Sequence, residues 1–275
     1  MSFYTSLSGL KGAQTDLSVI SNNLANVGTM GFKKSRAQFI DLIAASPSQN
    51  AATQAGRGNR LNGVVQQFTQ GTLEATDKAL DLAIVGEGFF VTRGEPPSSA
   101  VTYTRNGAFQ VNAYGQVVDS IGSTLQLLPV NSMSKLNSAG LEDTKDFVLP
   151  SGTSEGSSPP LANVSIGNDG LVTATYTDGT SEELGRIAMA SFTTQEGLRP
   201  VGDAHWQSTG DSSIPKIDSA TNGSLGSIRS GALERSNIDV TEELVALISA
   251  QRNFQANAKA IETESNMTQA IVSIR

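Results

Sequence analysis

Both ends of this 275-residue chain carry an apolar stripe at helical spacing, and the middle does not. From Phe3 to Val27 there is no proline, and apolar side chains recur at steps of three or four residues or their multiples. The stripe consists of Leu7, Leu10, Leu17, Ile20 and Leu24. It is narrow and interrupted by Gln14 and Ser21, which is typical of a coiled-coil seam. The sequence predicts a helix that ends near the glycines of residues 28–31.

The C-terminal end repeats this pattern. Asp239 followed by Glu242 resembles a capping box and predicts the start of a second helix. Its heptad-like apolar positions are Leu244, Leu247, Phe254, Ala258 and Ile261. A pair of such narrow stripes is marginal in water, so we expect both ends to be disordered until partners bury them. The simpler alternative is that each helix packs only on its own domain.

The middle of the chain is typical of antiparallel β-structure. Short runs of β-branched and aromatic residues alternate with glycine-containing turns, which favours a barrel or a sandwich. The predicted strands are at 80–85, 89–91, 101–103, 109–111, 116–118, 164–166, 171–176 and 184–192. Asn106-Gly107 predicts a hairpin between the third and fourth of these runs. The predicted fold class is therefore α+β, with long terminal helices pairing as a coiled-coil-like core around a central antiparallel all-β domain.

Three regions follow from these patterns. They are an inner helical domain of residues 1–30 with 239–275, a connecting segment of 31–70 with 225–238, and a β-rich domain of 71–224. Stretches rich in Ser, Gly, Pro, Asn or Ala are expected to be linkers or surface loops. These stretches are 44–63, 150–160 and 211–224.

Composition excludes several classes of function. A net charge of −7 argues against nucleic acid as a partner. No apolar run reaches the ~20 residues that span a bilayer, and the first residues do not look like a cleavable signal, so neither membrane insertion nor signal cleavage is expected. The chain has no cysteine, and its one histidine, His205, has no nucleophile at a motif-like position. We expect no enzyme activity, no cofactor and no metal site.

Two motifs give the chain a resemblance to a known family. The segment 20–33 resembles the N-terminal signature of flagellar rod and hook proteins, and 231–239 with 242–257 resembles their C-terminal segment. Similarity also extends to 80–90, 103–109 and 185–198, so that over half of the chain is involved. The residues that carry the motifs are Asn22, Asn23, Asn26, Thr29, Gly31, Phe32, Ser236, Asn237, Gln251 and Arg252.

The resemblance implies a structural role in the flagellum. In this family the terminal helices pair to form the inner tube of a homopolymer, a β-rich domain forms the next shell, and subunits leave the cell unfolded by the flagellar type III export apparatus. The implied partners are further copies of the chain, adjoining rod and hook–filament junction proteins, and the hook cap during assembly. The implied location is the extracellular flagellum, reached without a cleaved signal peptide.

Within the family, the sequence resembles hook proteins more than distal rod proteins. The features are Met1-Ser2-Phe3, Gly231-Ala232-Leu233-Glu234, and the run 187–192 followed by Glu196-Gly197-Leu198. Hook proteins usually carry an outer domain inserted in the middle, whereas here residues 145–162 hold only a linker. The leading interpretation is a hook subunit, a tubular flexible joint that transmits torque between rod and filament. The alternatives are a distal rod subunit and, from another class, a secreted binding module such as an adhesin.

Overall fold

The computed structural model describes residues 2–42, 56–95, 99–129, 143–150 and 159–273. Within these ranges the chain forms two long α-helices and eighteen β-strands. It divides into two compact units. The helical unit comprises Met1–Val27, Lys34–Gln67 and Ile238–Arg275, and the β-rich unit comprises Gly28–Lys33 and Phe68–Asn237. The α+β class predicted from the sequence is confirmed.

The helical unit contains both ends of the chain. Helix α1 spans Ser2–Ala25 and helix α2 spans Val240–Ser273. The predicted cap is present at α2, where the Asp239 carboxylate accepts the backbone N–H groups of Thr241 at 2.8 Å and Glu242 at 3.2 Å. These two hydrogen bonds lower the pKa of Asp239 below its ordinary value, and the one from Glu242 has the larger effect. Neither helix is long and apolar enough to span a membrane.

A β-hairpin packs with the helices rather than forming a connecting segment of its own. Strand β1 (Ser35–Asp41) pairs antiparallel with β2 (Asn59–Gln66), and Ala37 of β1 is buried. The prediction of a linker over 44–63 is wrong for the last five residues, which lie in β2. Residues 43–55 lie outside the described part of the chain. The strand was missed because its apolar residues are interrupted by Asn62 and Gly63.

The remaining strands build the β-rich unit. They are β3 (Leu73–Ala75), β4 (Leu82–Val85), β5 (Phe89–Arg93), β6 (Val101–Thr104), β7 (Gln110–Val111), β8 (Val117–Val118), β9 (Thr124–Leu128), β10 (Lys145–Asp146), β11 (Leu161–Ile166), β12 (Leu171–Tyr176), β13 (Ser181–Ser191), β14 (Arg199–Gly202), β15 (His205–Gln207), β16 (Lys216–Ser219), β17 (Ser227–Ser230) and β18 (Ala232–Glu234). Their pairings are antiparallel.

A single large sheet with a core on each face organises this unit. Its main strand order is β11-β12-β13-β9-β5-β6-β15-β14, while β17 pairs with β4 and β18 pairs with β3. Adjacent residues of β5 point to opposite faces, so Phe90 enters one core and Phe89 the other. The Phe89 side also holds Trp206, whose ring centroid lies 5.7 Å from that of Phe89 in an edge-to-face arrangement. The sheet is therefore buried on both sides at its centre.

The prediction of a hairpin at Asn106-Gly107 is wrong. Strand β6 pairs with β5 and β15, whereas β7 pairs with β8. The segment between them runs beside β4, where the Leu82 N–H donates to the Gly107 carbonyl at 3.0 Å. Asn106 is buried, and its side-chain oxygen accepts the N–H of Ala108 instead of exposing a two-residue turn. Burial and side-chain hydrogen bonding have overridden the local turn preference.

The predicted turns further along are confirmed, but one predicted loop is not. β11 and β12 form a hairpin around residues 167–170, and β12 turns into β13 at Asp178-Gly179. The stretch 211–224, expected to be a loop, contains β16, which pairs with β13 and buries Ile217. A single buried apolar residue gives too weak a pattern to reveal this strand. The 150–160 linker prediction falls almost entirely on 151–158, outside the described residues.

Gly107 allows the closest backbone approach in this unit, and replacing it tests that approach. A Cβ atom at Gly107 would lie 1.6 Å from the Leu82 carbonyl oxygen, so Gly107→Ala must push the two segments apart. We expect a loss of about 2–3 kcal/mol or more in the free energy of unfolding of the β-rich unit, measured by denaturant titration. Gly210→Ala is the matched control, since a Cβ there meets nothing within 4 Å. Equal stability of the two variants would contradict the described packing.

Candidate assembly surfaces and their anchoring clusters

Helices α1 and α2 pack against each other in antiparallel directions. Gly9 of α1 faces Asn257, since a Cβ atom added at Gly9 would lie only 2.7 Å from the Asn257 side-chain oxygen. Towards the other end of α1, the Asn23 amide donates to the Glu243 carboxylate at 3.3 Å. The helices differ in length, 24 against 34 residues. With this register the last turns of α2, about nine residues or about 14 Å, extend past the start of α1.

The contact between the helices is a narrow seam. The inward positions of α2 follow alternating steps of four and three residues, as in a heptad repeat. They are Glu243, Leu247, Ala250, Phe254, Asn257, Ile261 and Glu264, with Ala246 and Ala258 beside them. On α1, Ile20 is buried, and the other stripe residues of the sequence prediction are half-buried, namely Leu7, Leu10, Leu17 and Leu24.

One position of the expected stripe differs in the structure. Leu244 is 43% exposed, and its neighbour Glu243 lies inside instead. The Glu243 carboxylate is held there by the Asn23 amide and by Lys34, whose Nζ lies 3.8 Å away. Asn23 also exchanges two 2.9 Å hydrogen bonds with the backbone of Ser35. A hydrophobic pattern cannot predict a buried carboxylate, because its burial depends on partners far away in sequence.

Several apolar side chains of α2 stay in water in a single copy of the chain. One group lies near its start, at Val240, Leu244, Val245 and Ile248, and another near its end, at Met267, Ile271 and Val272. Phe3 and Tyr4 at the start of α1 are exposed as well. A second copy of the chain could cover such a face, whereas the helical unit alone does not.

A buried ion cluster lies within the β-rich unit. Lys33 and Glu234 are both 0% exposed, and the Lys33 ammonium lies 2.6 Å from Glu234 Oε1. Arg105, which is also buried, reaches Glu234 Oε2 at 3.3 Å and stacks over the Phe89 ring at 5.3 Å. Gly71 donates its N–H to the same carboxylate at 2.8 Å. One buried anion therefore serves two buried cations and a backbone donor.

Burial lowers the pKa of Lys33 below its ordinary value, because the ammonium has lost its water. Glu234 opposes this shift in the Lys33 pKa, and the positive charge of Arg105 adds to it. The Lys33 ammonium also donates to the Thr69 carbonyl at 2.7 Å. The Arg105 Nε has no hydrogen-bond partner among the described residues. Because two cations share one carboxylate, any loss of that carboxylate leaves both of them uncompensated.

The motif residues of the sequence fall into two groups. Some bind backbone: the Asn26 amide donates to the Asn22 carbonyl at 2.9 Å, the Gly31 N–H donates to the Glu234 carbonyl at 2.8 Å, and the Asn237 amide donates to the Thr69 carbonyl at 3.2 Å. Gly31 has φ +69°, and a Cβ there would lie 2.5 Å from the Asn106 nitrogen.

The second group of motif residues has a different placement. Ser236 is buried, and Thr29 and Phe32 are half-buried. Gln251 and Arg252 are exposed on α2. Within the described ranges no three His, Cys, Asp or Glu side chains come together as a metal site. His205 is packed beside Trp206 rather than placed at a reactive surface.

Comparison with known proteins assigns the same segments to one family. Three family models match: flagella basal body rod protein over residues 3–33, the flagellar hook protein FlgE/F/G D1 domain over 83–174, and the flagellar basal body rod FlgEFG protein C-terminal over 229–274. The flagellar basal-body rod protein FlgG of Buchnera aphidicola (Schizaphis graminum) is 32% identical, with 98% of both chains covered. This chain belongs to the flagellar rod and hook protein family.

The lengths of two further relatives can be compared with the length of this chain. FlgG of Bacillus subtilis is 31% identical and covers 100% of this chain and 98% of its own. The flagellar hook protein FlgE of Salmonella typhimurium is 26% identical, with both chains fully covered. That alignment runs over 412 positions, so the hook relative contains long stretches that this chain lacks. The family consists of structural proteins of the rod and hook.

Replacing Glu234, the carboxylate of the buried ion cluster, tests how much its charge contributes to the free energy of unfolding. Glu234→Gln leaves Lys33 and Arg105 buried without a counter-charge, and we expect it to lower the free energy of unfolding by about 3–5 kcal/mol. Glu74→Gln is the matched control, because Glu74 pairs with Arg235 at 3.6 Å while both are half exposed, and should cost under about 1 kcal/mol. Similar losses in the two variants, measured by denaturant unfolding, would contradict the assigned role.

Proposed function

We propose that this chain is a subunit of the flagellar hook, and that it polymerises through α1 and α2. The observation that carries the proposal is the apolar surface that α2 leaves in water. Full burial of a large apolar side chain stabilises an assembly by about 1.5–3 kcal/mol, and seven such side chains are exposed along this helix. We propose that α1 and α2 form a coiled-coil-like pair, and that neighbouring copies cover these residues to form an inner tube.

Three sequence segments support assignment of this chain to the hook rather than to the distal rod. Met1-Ser2-Phe3, Gly231-Ala232-Leu233-Glu234 and the run 187–192 resemble hook proteins more than distal rod proteins. The proposal includes the partners that this position requires: further copies, the adjoining rod and hook–filament junction proteins, the hook cap and the type III export apparatus. It also places the chain in the extracellular flagellum.

The second candidate is a distal rod subunit. It is favoured by the basal-body rod relatives, which are 31–32% identical and match this chain over nearly their whole length. The hook relative is less similar, at 26% identity, and carries additional residues. Electron microscopy of the purified polymer separates the two candidates, since a hook is curved and bendable and a rod is straight. Straight, stiff tubes under all solution conditions would favour the rod.

The helical seam gives a direct test of assembly. Phe254 is half-buried on the inward side of α2, and Phe254→Asp places a carboxylate in this apolar seam. We expect this variant to remain monomeric in sedimentation experiments while the near-ultraviolet circular dichroism of the β-rich unit is unchanged. Leu17→Asp on α1 should behave in the same way.

The control at this position is Phe254→Leu, which keeps an apolar side chain and should polymerise nearly as well as the wild type. Truncation of 1–27 or of 239–275 extends the test, and either truncated chain should keep a folded β-rich unit that forms no tubes. Regular tubes from Phe254→Asp, or from either truncation, would show that the helices do not drive assembly. A wild-type chain that forms no tubes would instead fit a secreted binding module better than an axial subunit.

A further inference from the structure

The most exposed large apolar side chain described in the β-rich unit stands on a loop that follows an anchored turn. Ile214 is 86% exposed. The residue before it, Ser213, has φ 67° and ψ 172°, a backbone region that is normally restricted to glycine. The buried side chain of Ser212 donates to the Thr209 carbonyl at 2.9 Å, and Thr209 in turn donates to the Gly197 carbonyl at 2.6 Å. We name the segment Ser213–Pro215 the apolar tip.

The next two most exposed large apolar side chains of this unit line one groove. Tyr114 is 82% exposed and Ile121 is 53% exposed. They stand on the β7–β8 and β8–β9 turns and face a space of about 710 Å³, which also borders Thr102 and Val118. This volume accommodates several side chains, far more than the single isoleucine and proline of the apolar tip require. We name this space the Tyr114 groove.

The wall of the Tyr114 groove is held in place from within the unit. The buried carboxylate of Asp119 accepts the N–H groups of Ile121 at 3.1 Å and Ser123 at 2.8 Å. The same carboxylate lies 2.7 Å from Nε2 of the buried His205, whose Nδ1 lies 2.8 Å from the Asp203 carbonyl. The groove is therefore a preformed surface, and a partner would not have to order it first.

The apolar tip and the groove lie at opposite ends of the same sheet. Ser191 pairs with Lys216, and Ala190 pairs with Phe89, so the tip lies beyond the Phe89 end of β5. The groove begins at Gly94, just past the other end of β5. At about 3.3 Å per residue the two are separated by roughly 20 Å along the strand direction. A surface and its complement at opposite ends of one unit produce an open, head-to-tail chain of copies.

We propose that the apolar tip of one copy seats in the Tyr114 groove of a second copy, with Ile214 packed against Tyr114 and Ile121. The exposed Lys216 follows the tip and Glu95 borders the groove, while the exposed Asp211 precedes the tip. A Lys216–Glu95 contact would form only when a tip meets a groove, with the Lys216 side of the tip facing Glu95. The inference rests on the proposed homopolymer, and it names a contact between β-rich units that adds to the contacts of the helices.

Cross-linking in the full-length polymer tests this contact. The chain has no cysteine, so a double variant carrying Ile214→Cys and Tyr114→Cys introduces the only thiols. With a short bismaleimide reagent we expect a ladder of dimers, trimers and longer products in denaturing gels. Ile214→Cys combined with Val201→Cys, an exposed site outside the groove, should give no ladder. A cross-linked dimer from Ile214→Cys alone, which has one thiol per chain and can form nothing longer, would mean that two tips meet symmetrically, and this contradicts the proposal.

A second measurement uses the apolar character of the tip. Ile214→Ser removes a side chain that has no role in the core, so the monomer should unfold as the wild type does, while the critical concentration for polymerisation should rise roughly tenfold or more. Val201→Ser is the control and should leave that concentration within about twofold. Normal tubes without a ladder, and with an unchanged critical concentration, overturn this contact alone. A wild-type chain that forms no tubes overturns the proposed function itself.

Discussion

The carboxylate of Glu234 is the interaction on which the β-rich unit depends most. It balances Lys33 and Arg105, accepts the N–H of Gly71, and belongs to a residue whose carbonyl accepts the N–H of Gly31. Buried ion pairs add little net stability compared with apolar packing, but leaving a member unpaired is costly. The cluster therefore acts chiefly as a constraint. It permits one arrangement of four chain segments and penalises arrangements that leave a charge alone in the core.

The two units use burial in different ways. The β-rich unit has apolar cores on both faces of its sheet, and Phe89 and Phe90 bury fully although they are neighbours in sequence. The helical unit has only a narrow seam with Glu243 and Asn23 inside it, and it leaves much of α2 in water. Such a division suits the proposed polymer, in which the β-rich unit would be complete in each copy and the helical unit would be completed by neighbouring copies.

The parts of this structure that could be predicted are those that local pattern determines. The helix ends, the Asp239 cap and the hairpin of β11 and β12 follow from spacing and turn chemistry. Hydrogen bonds with distant partners decide the rest. The Asn106-Gly107 turn failed because the Gly107 carbonyl accepts the N–H of Leu82 in β4, and Leu244 proved exposed because Asn23 and Lys34 hold Glu243 inside. The apolar tip and the Tyr114 groove carry no sequence signature, because exposure of an isolated isoleucine depends on the loop that presents it.

The anchoring pairs join residues that lie far apart in sequence, and this separation limits when each pair can form during folding. Lys33 and Glu234 are 201 residues apart, and Asn23 and Glu243 are 220 residues apart. Contacts this distant form late, since closing a long loop costs entropy before it gains any interaction. A chain threaded end first through a narrow conduit lacks one partner of each pair until almost all of it has passed. In the export that is proposed above, neither anchoring pair could therefore form during passage, so the chain could stay unfolded until nearly all of it had left the conduit.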